Sequence, residues 1–252
     1  MSVYSLALCL DAPMQSWGTR SRGSIRDTAR EPTKSGVVGL LAAALGIPRD
    51  RTSSLVKLSQ LRMGIRVDRE GILERDYQVT QNVPTTTGGG HRTALSHRYY
   101  LADALFLVVL ESEDADRLAK IQHALRAPVW PLFLGRRAFP PARPLVASGH
   151  YDEARTGLGL TDQPLEAVLA THPWLEDRPE VCTAERRRAD RDPLRTVIDC
   201  DPADPAAELR MDVPLSFKSD DRRYAARTVR FGSVPLTDEL ITTKDTPCTS
   251  AS

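Results

Sequence analysis

Residues 3–10 alternate with a period of two, Tyr4, Leu6, Leu8 and Leu10 on one side and Val3, Ala7 and Cys9 on the other. Both sides are apolar, which predicts a strand buried on two faces. Residues 11–34 lose this periodicity and fill with Ser, Thr, Gly and Arg, as in a long ordered loop. Ser35 is placed to cap an apolar helix over 36–45 that Gly46 and Pro48 close. A short helix follows over 52–60. Residues 61–67 and 72–79 then alternate like strands around Asp68-Arg-Glu-Gly71, which predicts a hairpin. Residues 78–98 are Thr-, Gly- and His-rich and have no apolar face, so they project from the strands that hold their ends. The pattern resumes as a strand over 99–110, a helix over 114–127 with Leu118, Ile121 and Leu125 on one side, and a short strand over 129–134.

With the excursion set aside, the order is strand, helix, two strands, helix, strand. This is the split βαβ pattern of a ferredoxin-like α+β domain, expected over 1–150 with a thumb at about 78–98. Residues 151–252 turn acidic and Pro-rich, with strands expected near 181–188, 194–200 and 224–231 and a frayed tail. They are expected to form a smaller β-rich region.

Composition excludes several classes. The chain has 252 residues, 41% hydrophobic and 27% charged, which are globular proportions. Its longest apolar run, 37–47, is too short to span a bilayer, and residues 1–10 lack a basic n-region and a cleavage site. Cys9, Cys182, Cys200 and Cys248 form no close pair, so no metal, disulfide framework or cofactor is expected, and a reducing cytoplasmic setting is. The net charge of +1 hides an asymmetry. Residues 1–150 carry 20 Lys+Arg against 13 Asp+Glu, whereas 151–252 carry 14 against 20. Only five basic residues are Lys and 29 are Arg, the side chain suited to bidentate phosphate contacts, although an Arg-rich genome produces the same bias.

Three segments carry candidate chemistry. The first runs from Met14, Gln15 and Trp17 through Arg20, Arg22, Arg26, Arg30 and Lys34 to the expected helix start at Ser35 and Gly36. Cations ahead of exposed helix N–H groups suit a phosphate, and a solvated loop pairing with Asp27 and Glu31 is the alternative. The glycines of a GxxxxGK[ST] loop are missing, so this is not an NTPase. The second segment is His97-Arg98-Tyr99-Tyr100, which interleaves basic and aromatic groups as base-stacking surfaces do. The third is Leu134-Gly135-Arg136-Arg137, two guanidiniums after a strand end with a glycine beside them. Gly88, Gly89, Gly90, His91 and Arg92 form a flexible tip. His91 and His97 are the only candidates for acid–base chemistry, and neither has an obvious partner.

Leu10-Asp-Ala-Pro-Met-Gln-Ser-Trp-Gly18, Pro32-Thr-Lys-Ser-Gly-Val-Val-Gly-Leu-Leu-Ala-Ala-Ala-Leu-Gly46 and Phe133-Leu-Gly-Arg-Arg137 resemble the CasD family, subunits of the type I-E CRISPR surveillance complex Cascade in the RAMP superfamily. The resemblance covers residues 3–150 and extends loosely to the Arg-rich stretch 222–231. It implies an RRM-like domain with a β thumb that caps the 5′ repeat-derived handle of the guide crRNA. It also implies a thumb packed on the CasC backbone subunit, with CasA, CasB and CasE as further partners and target DNA engaged through the complex for antiviral interference. The RNA-facing residues would be Met14, Gln15, Trp17, Arg20, Arg22, Arg26, Arg30, Lys34, Ser35, Gly36, His97, Arg98, Tyr99, Leu134, Gly135, Arg136 and Arg137, with Trp17, Tyr99 or Leu134 meeting splayed bases. Gly88, Gly89, Gly90, His91 and Arg92 would meet the partner. Related subunits of another subtype are metal-independent endoribonucleases using tyrosine, lysine and histidine, and this chain has Arg92 beside His91 where a lysine would be wanted. A non-catalytic role is therefore expected. An endoribonuclease and a pure protein-interaction subunit are the alternatives.

Overall fold

The computed structural model describes residues 2–19, 24–85, 88–148 and 155–242. In chain order its elements are β1 (Tyr4–Asp11), β2 (Met14–Gln15), β3 (Ile25–Arg26), α1 (Lys34–Ala44), α2 (Thr52–Ser59), β4 (Arg62–Arg69), β5 (Ile72–Pro84), β6 (His91–Ala102), β7 (Leu105–Ser112) and α3 (Ala115–Arg126). There follow β8 (Gly159–Thr161), α4 (Leu165–Thr171), α5 (Pro179–Arg187), β9 (Leu194–Asp199), β10 (Glu208–Phe217) and β11 (Arg222–Val234).

A seven-stranded antiparallel sheet runs in the order β10-β11-β9-β4-β7-β1-β8. Its half β8-β1-β7-β4 has the ferredoxin-like order, fourth strand, first, third, second, so the expected α+β class holds. Both faces of β1 are covered, as its sequence requires. Leu6, Leu8 and Leu10 join Leu41 of α1, Leu55 of α2, and Leu118 and Ile121 of α3 in one core. Ala7 and Cys9 join Leu165, Val168 and Leu169 of α4 in another. The Cys9 thiol is pushed up to about 12 by burial, which makes it an inert packing group.

Several sequence expectations are corrected. The fourth strand is the three-residue β8, not residues 129–134, which form no strand. β9, β10 and β11 continue the same sheet beyond β4. The stretch 181–188, expected as a strand, falls instead on α5 and its C-cap, with Pro179 at the first turn of the helix. β4 and β5 do not pair. Gly71, at φ +70, turns the chain out of the main sheet, and a Cβ there would meet the Ala102 carbonyl oxygen at 2.7 Å. The hairpin is instead β5 with β6, a ribbon of 13 and 12 residues in a second sheet with β2 and β3. The stretch 99–110 is likewise two strands in two sheets, divided at Asp103, whose φ is +56. No helix among the described residues is long and apolar enough to cross a membrane.

Candidate nucleic-acid interface

The loop from β1 to α1 is pinned by its own side chains. Gln15 donates to the carbonyls of Leu10 and Ala104, at 3.1 and 2.8 Å, and accepts from the Trp17 indole at 3.2 Å. Trp17 is 1% exposed and its ring lies against Gly36, so it packs the loop on α1 and presents no surface to a base. Leu134, fully buried, is likewise a core residue, and its carbonyl accepts from the Ser16 amide at 3.1 Å. This contact brings the third candidate segment against the first. Gly135 crosses the loop at φ +97, where any Cβ would run into the Ser16 carbonyl.

The helix start differs most from expectation. The cap is Thr33, whose hydroxyl accepts from the Gly36 amide at 3.2 Å, and the Lys34 amide donates to the Asp212 carboxylate at 2.8 Å. The Lys34 ammonium points inward to the Leu61 carbonyl and to Asp199, the latter at 2.6 Å. Burial holds its pKa below the ordinary lysine value, opposed by Asp199. Asp199 and Asp212 also bind Arg227. Burial alone would raise Asp212, but the Arg227 hydrogen bonds and charge hold its carboxyl below the usual range. Lys34 is thus a buried rivet between α1 and the β9–β11 strands, not a phosphate ligand, and the first turn already has an anion of its own.

What the fold leaves open is a cleft of about 550 Å³ along the half-buried face of α1 that carries Ser35, Gly36, Gly39 and Ala43. Of the residues singled out from sequence, Trp17, Arg26, Ser35, Gly36, Gly135, Arg136 and Arg137 line it. The sequence reading missed Arg49 and Trp130, and Phe217, Arg222 and Tyr224 from the β10–β11 hairpin. The signal was present in Arg222-Arg223-Tyr224, which interleaves charge and ring as residues 97–100 do. Five arginines, at 26, 49, 136, 137 and 222, face one acid, Asp27. The side chains of Arg26, Arg49, Arg137 and Arg222 make no hydrogen bond or ion pair among the described residues. Many arginines elsewhere among the described residues hold carboxylates: Arg66 holds Asp68, Arg69 holds Glu176, and Arg195 holds Glu31 and Glu70.

Arg136 joins the cleft to the thumb base. It donates to the carbonyls of Tyr99 and Arg26, at 2.7 and 3.3 Å, and lies over the Phe139 ring. Burial, then the nearby Arg98 charge, push its pKa below the ordinary arginine value, with Arg26 adding and Asp76 opposing. Arg26 and Arg98 are register partners, as are Ile25 and His97. Three guanidiniums therefore crowd one place, an arrangement that an anion relieves. His97 packs on Tyr77 at 5.3 Å, and its buried Nδ1 has no hydrogen-bond partner among the described residues. Met14 is partly exposed on β2. Arg30 opens on a separate depression with Arg195 and Arg210. Gly88, Gly89, Gly90, His91 and Arg92 are exposed at the far end of the ribbon, and Arg20 and Arg22 lie outside the described residues. No group of three or more His, Cys, Asp or Glu side chains that could hold a metal occurs among the described residues.

The family model for CRISPR-associated protein Cas5 matches residues 5–230. The chain is 37% identical over 153 residues to the CRISPR system Cascade subunit CasD of Escherichia coli strain K12, covering 56% of this chain and 68% of that protein. Among solved structures, a crystal structure of a Cas protein superposes with a TM-score of 0.66 at 36% identity, covering 92% of this chain and 95% of the other. A chain of a CRISPR RNA-guided surveillance complex superposes with a TM-score of 0.68 at 29% identity, covering 91% and 90%. With nearly its whole length matched by the family model, and the fold shared with these structures, the chain belongs to the CRISPR-associated Cas5 family.

Proposed function

We propose that this chain is a non-catalytic subunit of a Cascade-type surveillance complex that grips the 5′ repeat-derived handle of the guide crRNA. The observation that carries this reading is the concentration of unpaired guanidiniums on one cleft, in a molecule whose other arginines largely hold carboxylates. Like charges gathered on one surface repel one another, and a phosphate backbone supplies several counter-charges at once. The relative named as a Cascade subunit, and the solved RNA-guided complex that shares the fold, support the same reading.

The β5–β6 thumb suits a protein partner. Ile72, Tyr77, Val79 and Leu95 are about half exposed or more on a ribbon that the main core does not cover. A CasC-type backbone subunit is the occupant, with CasA-, CasB- and CasE-type subunits completing the assembly and target DNA reaching it through the complex. His91 and His97 are six residues apart on β6, roughly 20 Å along an extended strand, and Lys34 is buried. They assemble no common acid–base site, which favours binding over cleavage.

The test is retention of labelled handle RNA by the assembled complex. Arg137→Ala, an exposed and unpaired side chain, weakens binding by roughly 1 to 3 kcal/mol, without loss of folding stability. Arg136→Ala also frees the Tyr99 and Arg26 carbonyls, so it lowers stability as well. Unchanged retention with Arg137→Ala combined with Arg26→Ala would contradict the assignment.

A further inference from the structure

Aromatic residues make up 6% of the chain, yet five of them line this one cleft, Trp17, Trp130, Phe133, Phe217 and Tyr224. Trp17 is consumed by packing on Gly36, but Trp130 is 42% exposed. Its backbone amide bonds the Ala43 carbonyl, which fixes it at the end of α1. The Phe217 ring comes to within 4.0 Å of where a Gly39 side chain would begin, so it packs on that helix, partly buried against the core, at the edge of the cleft. Tyr224 and Arg222 enter from β11, nearly two hundred residues along the chain from the loop carrying Arg26. Arg49 and Arg222 are exposed and make no hydrogen bond or ion pair among the described residues.

Resting on the handle-binding reading, we propose that Trp130, Phe217 and Tyr224 form a nucleobase subsite. One unstacked base of the handle lies against this aromatic wall, and Arg49 and Arg222 hold its flanking phosphates. The β10–β11 hairpin is then a direct part of the RNA grip, although the residues that mark the RNA-binding half in the sequence lie before 150. The cleft volume is of the size that admits a single small planar group with its sugar. An exposed Trp130 ring, continued by the partly buried rings of Phe217 and Tyr224 beside cations without an ion pair among the described residues, is the combination that single-stranded nucleic acid uses. The same cleft runs on to Arg26, Arg136 and Arg137, so base and neighbouring phosphates are met by one continuous strand.

The experiment uses the reconstituted complex with handle RNAs carrying a single abasic nucleotide at each position in turn. It compares the natural chain with Tyr224→Leu and, as a second variant with a side chain outside the core, Trp130→Leu. In the natural chain one abasic position lowers affinity by roughly five- to a hundredfold, the range of a lost base–aromatic stack. Tyr224→Leu or Trp130→Leu lowers affinity for intact RNA by a similar factor, and the abasic nucleotide at that position then costs almost nothing more. If the two losses multiply at every position while Arg137→Ala still weakens binding, the subsite is wrong and the handle reading stands. If the complex does not distinguish handle from scrambled RNA, both fail.

Discussion

The Lys34 ammonium lies in a buried network with Asp199, Asp212 and Arg227. Lys34 stands at the end of a basic loop and at a helix start, two features that suit phosphate, but its partners Asp199 and Asp212 lie more than 160 residues further along the chain. No local pattern encodes that pairing, and the same holds for Trp17 and Leu134, whose burial depends on the Ser16–Leu134 contact across the cleft floor. Arg26, Arg136 and Arg137 were legible because unmatched charge beside glycine or an aperiodic loop stays near the surface. Lys34→Ala is expected to lower folding stability by about 3 kcal/mol, read from denaturant unfolding, because it removes one cation from a buried network. A loss of RNA affinity with unchanged unfolding would restore the phosphate role to Lys34.

At the level of elements, periodicity identified β1, α1 and α3 because each buries a complete face or stripe. It failed where strand partners are non-local. The β4 and β5 segments are close in sequence and separated only by Glu70 and Gly71, yet they belong to different sheets, and three-residue β8 is too short to have a pattern. The thumb was legible as an excursion but not in its length, since its outward rings and aliphatics resemble an ordinary half-buried strand. Val79 and Leu95 face each other across the ribbon, each 49% exposed. Val79→Asp with Leu95→Lys, opposite charges across the pair, is expected to leave unfolding nearly unchanged and to weaken association with the backbone subunit by roughly tenfold or more, measured by co-purification and titration. Full association of the double variant would move the interface off the thumb.

Across the whole molecule, the opposed charge of the two halves resolves into internal pairing. Asp199, Glu166 and Glu176 from the acidic half hold Lys34, Arg62 and Arg69 from the basic half, while five arginines without a carboxylate partner among the described residues line the cleft. Integrity of this arrangement depends on pH through His172, which anchors the loop after α4. Its ring donates from Nδ1 to the Pro173 carbonyl at 2.8 Å and accepts from the Leu158 amide at 3.1 Å. Burial lowers its pKa from 6.5 to about 4, with the Arg66 charge adding. Between those values the unfolded chain binds a proton that the folded chain refuses, so stability is complete above about pH 6.5 and falls as pH drops toward 4. Denaturant unfolding over that range should show the loss, and His172→Gln should flatten this part of the profile. Handle gripping is decided by measuring, in EDTA and over a range of salt concentrations, the affinity of the assembled complex for RNA with a repeat-derived 5′ handle and for a scrambled control. A handle-gripping subunit leaves the RNA intact, prefers the handle, and binds with an affinity that falls steeply with salt as released counterions demand. Cleaved RNA, or equal and salt-insensitive binding of both RNAs, would contradict that role.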